Sequence, residues 1–360
     1  MAIIVFGRND DKKYPIKGLM ALNSELTART LYPFPAESIR SRMKELLVAD
    51  NPEIDSILDY LTGNSGKMIR PRLVVIAASM STYDPEVVID IAAAVELIHL
   101  ASLIHDDIID HAMIRRGRES LNSLFGNHAS ILTGDYLFAT AFYLINKHGM
   151  QGIMENVTTT IRIMCAAEIK QMSLVGNLDI TEDQYFEKTY GKTACLFASS
   201  CKAGALASSM PSQSVYALEQ FGLCLGYAYQ IMDDLLDFLS DSTLLGKPIG
   251  NDLLEGNITL PVIYALKSKE YGAYIRSLLE SQEPTDQHML RVIEVLVDSN
   301  AVETSLHSAR QFVAKGLDYL NVLPASSANT ALQQFATYLM ETYYQKLSYN
   351  HRKNTREVAR

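Results

Sequence analysis

At 360 residues, 48% of them hydrophobic and 20% charged, the chain has the length and composition of a protein with a large buried core. A net charge of −9 with no basic domain excludes nucleic acid as a partner. Four cysteines without C-x-x-C spacing and eight histidines without an H-x-x-x-H pair leave no disulfide framework or zinc site to read; the cysteines are expected to be reduced core thiols.

In chain order, the opening Met-Ala-Ile-Ile-Val-Phe run has no basic start and meets Asp10-Asp11, so it is not a signal peptide. Residues 1–25 read as an N-terminal extension. Gly66-Lys67-Met68-Ile69-Arg70-Pro71 puts two cations just before a helix predicted over Arg72 to Met80. Asp84-Pro85-Glu86 is a helix start (a cap, a proline at the first position, then an acid at the positive end), and this helix should run through Asp110. No proline falls between Pro85 and Pro211, and apolar residues there recur at helical spacing, which predicts several long helices. The most apolar stretch, Ile89 to Ile104, contains Asp90, Glu96 and His99, so no membrane span is expected. Arg115-Arg116-Gly117-Arg118 follows as a loop. Gly191-Lys192-Thr193 is not a P-loop, because Phe186 occupies the position that needs glycine. Ser212 to Ser214 precedes another long helix, followed by Gly246-Lys247-Pro248. The basic tail His351–Arg360 reads as solvated, the alternative being that Arg352, Lys353 or Arg356 folds back over an anionic site. With no linker or low-complexity segment, one all-α domain over 1–360 is the simplest account.

Two segments carry chemistry. Asp106-Asp107-Ile108-Ile109-Asp110 and Asp233-Asp234-Leu235-Leu236-Asp237 are both Asp-Asp-x-x-Asp clusters ending apolar helical runs. Residues four apart share a helix face, so each cluster is a two-pronged oxygen site. His99 and Ser102 precede the first on its stripe, and Gln230 precedes the second. Carboxylates this dense repel one another unless a hard cation that also takes phosphate oxygens sits between them, which points to Mg²⁺ and a diphosphate. Lys67, Arg70, Arg115 and Arg116 add phosphate-binding cations, and Lys192, Thr193 and Lys247 are further contacts of the same kind.

These motifs, with Glu96-Leu97-Ile98-His99, Gly134-Asp135 and Gly256-Asn257-Ile258-Thr259-Leu260-Pro261, follow the order found in trans-isoprenyl diphosphate synthases. The chain resembles that family, its medium- and long-chain members above all, from about Leu46 to Leu266. The resemblance implies an antiparallel helical bundle around a deep cavity, usually a homodimer, with a small second subunit in some long-chain members. It implies about two or three Mg²⁺ ions per site, held by Asp106, Asp107, Asp110, Asp233, Asp234 and Asp237. Arg115, Lys192 and Lys247 would neutralise the allylic diphosphate, farnesyl or geranylgeranyl. Lys67, Arg70, His99 and Arg116 would hold isopentenyl diphosphate, and Thr193 and Gln230 would face the allylic cation. The expected enzyme is a cytoplasmic prenyltransferase of isoprenoid biosynthesis, with peripheral membrane contact for product release. Two departures stand out: Met68 replaces a basic residue, and His111 stands where long-chain relatives carry another acid.

In that family bulky residues four or five positions before the first aspartate stop short products. Here those positions hold Ser102 and Ala101, with Ile98 the one sizeable side chain near the path. With Ala94 about 18 Å from Asp106, small residues imply an open tunnel and a product of about 30 to 50 carbons, its floor at Met154, Val157 or Ile161. The rivals are a geranylgeranyl or farnesyl synthase, a terpene cyclase and a regulatory subunit. A cyclase needs no isopentenyl site, and a regulatory subunit would have lost aspartates.

Overall fold

The computed structural model describes residues 32–47, 52–62, 66–115, 117–239, 249–281 and 286–357. The chain runs through α1 (Ala36–Leu46), α2 (Pro52–Thr62), α3 (Ile69–Ala78) and α4 (Pro85–Ile109), then a two-residue hairpin, β1 (Ile114–Arg115) with β2 (Arg118–Glu119). Next come α5 (Leu121–Lys147), α6 (Gln151–Met172), α7 (Glu182–Thr189), a π-turn (Tyr190–Ala194), α8 (Cys195–Ala207) and α9 (Ser212–Leu239). The rest comprises α10 (Asn251–Leu254), α11 (Leu260–Leu266), α12 (Gly272–Leu279), α13 (Asp286–Asp298), α14 (Ala301–Leu320) and α15 (Ser327–Glu357). The fold is all-α, as the periodicity predicts.

α4 is the spine of the site. Asp84 caps it, accepting the Glu86 N–H at 2.9 Å, with Pro85 at the first position as expected. From Asp90 to Ile98 every residue is buried, so this helix is enclosed on all sides. It is the one helix among the described residues long and apolar enough to cross a bilayer, and 67% of its most apolar window is buried inside the fold. α5 packs antiparallel to it: the early residue Asp90 meets Lys147 and His148, while the late residue His105 meets Phe138. Asp90, fully buried, receives Arg42 Nη1 at 3.0 Å, Lys147 Nζ at 3.1 Å and His148 Nε2 at 2.7 Å, which ties α1 and the end of α5 to α4. One apolar cluster joins α1, α4, α5 and α6; another joins α3, α8, α9, α14 and α15.

Several boundaries differ from the sequence reading. α3 starts at Ile69 and ends at Ala78, rather than spanning Arg72 to Met80, because a proline inside the first turn gives up an N–H that has no helical partner anyway. The Arg115–Arg118 loop pairs as a short hairpin. α9 includes Ser212 instead of following Ser214. The basic tail continues α15 helically through Glu357, against the expectation of an unstructured end. Cys195, Cys201 and Cys224 are buried thiols, but Cys165 is exposed. The extension over residues 1–25 lies outside the described residues.

Candidate active site

The first acid cluster stands at the C-terminus of α4, the negative end of the helix dipole, where carboxylates are disfavoured unless cations approach. The three acids do not share a role. Asp107 is buried and accepts from Arg115 Nε at 2.5 Å, the β1–β2 hairpin having folded Arg115 back onto it. Asp106 and Asp110 are half-buried on the stripe four apart. Burial pushes the Asp106 carboxyl up to about 6; Lys192 and Arg115 pull it down, while Glu168 and Asp110 push it further up.

The second cluster, on α9, repeats this division. Asp234 is buried, accepting the Tyr185 hydroxyl at 2.6 Å and Gln230 Nε2 at 2.8 Å. Thr193 donates its hydroxyl to Gln230 Oε1 at 2.6 Å, which completes a chain from the π-turn to the acid. Burial, with the charge of Asp252, raises the Asp234 carboxyl to about 7 against the pull of Tyr185, Gln230 and Lys188. Asp233 is exposed, and Asp237 accepts the Asp252 N–H at 3.1 Å.

Between the clusters stand two lysines. Lys192 lies within electrostatic reach of Asp106, Glu168, Asp110 and Asp252, whose charges outweigh burial and hold its ammonium above the ordinary value. Lys188 is lowered by burial despite Asp234, Asp252 and Glu168 around it, with Lys192 adding to the drop. Its Nζ donates to Asn257 Oδ1 at 3.2 Å, and so does Gln171 Nε2 at 3.2 Å. The helix that carries Lys188, α7, is fixed at both ends. Thr181 and Gln184 form a reciprocal cap at its start, and the π-turn ends it with one extra residue, a device frequent at functional sites. Gly191 permits this turn to press on α6, since a Cβ there would meet Ala167 Cβ at 2.0 Å.

Among the other expected site residues, Lys67 is exposed in the coil before α3, with its ammonium over the Tyr343 ring, and Arg70 is buried over Phe197. His99 is half-buried, and Ser102 spends its hydroxyl on the His99 carbonyl at 2.9 Å. Ala101 and Ile98 are fully buried in the cluster that also holds Val157, with Met154 and Ile161 packed against it. Arg116 and Lys247 lie outside the described residues.

Sequence reasoning missed Tyr185, Lys188, Glu168, Gln171, Asp252 and Asn257. Glu168 and Gln171 were findable, as polar residues three apart on one helix face.

Among the described residues no three acid, histidine or cysteine side chains form a ready-made cage. Half-buried oxygen donors whose charge is penalised by burial still suit Mg²⁺, which characteristically takes one or two carboxylates and completes its shell with phosphate and water. Asp106 is a carboxylate of that kind; Asp110 and Asp237 are half-buried and Asp233 is exposed, while Asp107 and Asp234 are buried.

The polyprenyl synthetase family model matches residues 51–296. The chain belongs to the polyprenyl synthetase family. It is on that ground a prenyltransferase, with the all-α isoprenoid synthase fold of its solved relatives. A heptaprenyl diphosphate synthase component 2 from Geobacillus stearothermophilus is 36% identical, covering 88% of this chain and 99% of that protein. The octaprenyl diphosphate synthase of Escherichia coli is 32% identical over 86% of this chain and 94% of its own length. A polyprenyl synthase structure from Caulobacter crescentus, complexed with calcium and isoprenyl diphosphate, matches with a TM-score of 0.79 and 30% identity, covering 85% of this chain and 94% of that one. Relatives also include geranylgeranyl and short-chain synthases, so fold alone does not set product length.

Proposed function

We propose that this polyprenyl synthetase extends farnesyl or geranylgeranyl diphosphate by successive head-to-tail additions of isopentenyl diphosphate. The product is an all-trans polyprenyl diphosphate of about 30 to 50 carbons, the length fitting an apolar path that begins at small residues on α4. The observation that carries this reading is that Lys192 lies within electrostatic reach of Asp106 and Asp110 at the end of α4, while its neighbour Lys188 lies within reach of Asp234 on α9.

When bound, Mg²⁺ supplies charge neutralisation for a departing diphosphate, and Asp106, Asp110, Asp233 and Asp237 are the residues to hold it. Lys192, with Lys247 and Arg115, orients the allylic diphosphate and stabilises the charge that builds as the carbon–oxygen bond breaks. The hydrogen-bond chain at Thr193 has a direct consequence. Its hydroxyl proton is committed to Gln230, and the Gln230 amide to Asp234, so Thr193 Oγ1 turns lone pairs toward the allylic carbon. Lys67, Arg70, His99 and Arg116 hold isopentenyl diphosphate while its double bond attacks that carbon. The proton then lost passes to the released diphosphate.

The exposed apolar side chains Ile131, Leu132 and Tyr143 on α5, with Ile169 and Met172 on α6, favour a covered face, and a homodimer is the assembly this reading adopts. The heptaprenyl relative is named as one component, so a small second subunit is the alternative occupant. The reading places the enzyme in the cytoplasm, touching a membrane only to release product.

The test is incubation with farnesyl diphosphate, labelled isopentenyl diphosphate and Mg²⁺, then sizing of the dephosphorylated products. Long linear chains are expected, and Ala101→Phe shortens them; a cyclic hydrocarbon refutes the reaction. An Ala101→Phe product distribution identical to wild type removes the tunnel assignment. A single geranylgeranyl-length product selects the short-chain reading.

Metal linkage supplies a second check. Unfolded carboxyls titrate near 3.9, whereas Asp106 and Asp234 are raised to about 6 and about 7. Their contribution to metal-free stability is thus full below about pH 4 and lost as pH climbs through about 7. Mg²⁺ competes with the proton on Asp106, so the rise in melting temperature it causes should be roughly twice as large at pH 8 as at pH 5.5. Equal rises at both pH values would contradict ligation by Asp106.

A further inference from the structure

Beside the second acid cluster, two cations and three rings form a continuous column. Lys67 Nζ lies 4.9 Å from the centre of the Tyr343 ring, and Tyr343 meets Tyr229 at 5.3 Å with the planes at 66°. Tyr229 leans on Phe197 at 5.2 Å, and Arg70 Cζ sits 4.9 Å from the centre of that ring. The column begins in the coil before α3, crosses α15, α9 and α8, and returns to the first turn of α3. Its middle ring neighbours Gln230, the amide that links Thr193 to Asp234. Tyr343 is 3% exposed, and its phenol is within electrostatic reach of Tyr229, Asp233 and Arg70.

A ring face attracts a cation without cancelling its charge, unlike a carboxylate. Lysine against a ring keeps ammonium hydrogens for an anion, and a stacked guanidinium keeps its donating edge. Rings packed edge to face are also stiff spacers, with two rotatable side-chain bonds each. Such a column therefore fixes the separation of two positive groups.

We propose that Tyr343, through Tyr229 and Phe197, positions Lys67 and Arg70 for the diphosphate of isopentenyl diphosphate, which makes α15 a structural part of that substrate's site. The inference rests on the assignment of Lys67 and Arg70 proposed above. Tyr343 is a positioning residue: it acts through Lys67 and touches no reacting atom.

The experiment is steady-state kinetics with each substrate varied in turn, together with calorimetric binding of isopentenyl diphosphate. Tyr343→Leu should raise KM for isopentenyl diphosphate about tenfold, with kcat and the KM of the allylic substrate within about twofold. Tyr343→Phe, which keeps the ring, should restore the wild-type value. Should the leucine variant not fold, phenylalanines of increasing fluorination at position 343 keep the shape and drain the ring face, and KM should climb with each fluorine. The column is overturned by a Tyr343→Leu effect on kcat alone, by equal shifts for both substrates, by a phenylalanine variant as impaired as leucine, or by a flat fluorine series. Wild-type protein that binds no isopentenyl diphosphate overturns the site assignment and the column together.

Discussion

Asp106→Asn should lower turnover about a thousandfold while leaving the melting temperature of the metal-free protein unchanged or raised. The two effects separate because the side chain works against its surroundings. Burial already penalises the Asp106 carboxylate, and Glu168 and Asp110 repel it, so the neutral amide relieves the fold. The amide is also a much poorer ligand for a hard divalent ion. Turnover and thermal melting of the same preparation decide the matter. Activity within tenfold of wild type would remove Asp106 from the ligand set. Lost activity accompanied by a lower melting temperature would make its role structural. Asp107 supplies the contrast: its carboxylate is buried on Arg115, so losing that charge should cost stability.

Asp90→Ala should destabilise the protein by about 3–5 kcal/mol, the usual result of removing one partner from a buried charge cluster. Arg42 from α1, with Lys147 and the His148 ring from the end of α5, converge on this carboxylate, and without it they lose their shared buried partner. The measurement is a denaturant midpoint at constant slope, which reports stability alone. A shift corresponding to less than about 1 kcal/mol would mean the cluster behaves like a surface pair.

How far the sequence reaches depends on the range of the interaction. The cap at Asp84, the proline at the helix start and the two acid clusters are local, and each was legible from neighbours within one turn. The inward turn of Asp107 and Asp234 was legible in principle, since the residue after a stripe position points about 100° away. Tyr185 pairs with Asp234 across 49 positions, and Gln171 with Asn257 across 86, so no spacing rule reaches them. Tyr343 is the extreme case, where an unremarkable aromatic on the last helix meets a lysine near the start of the described fold. The π-turn was equally hidden, because Tyr190–Ala194 reads as ordinary helix and only the fold shows Gly191 packed closely on Ala167.

That inserted residue acts as a phase shifter for everything after it. Forcing the same residues into a regular helix, with none deleted, would keep α8 apolar and well formed, yet turn it by about 100° relative to α7. Lys188 and Thr193 would then no longer address the same space, and the hydroxyl would swing off Gln230. Engineering that straightens this rod in search of a sturdier protein would therefore silence it, and loops or helix ends elsewhere are the better places to seek stability.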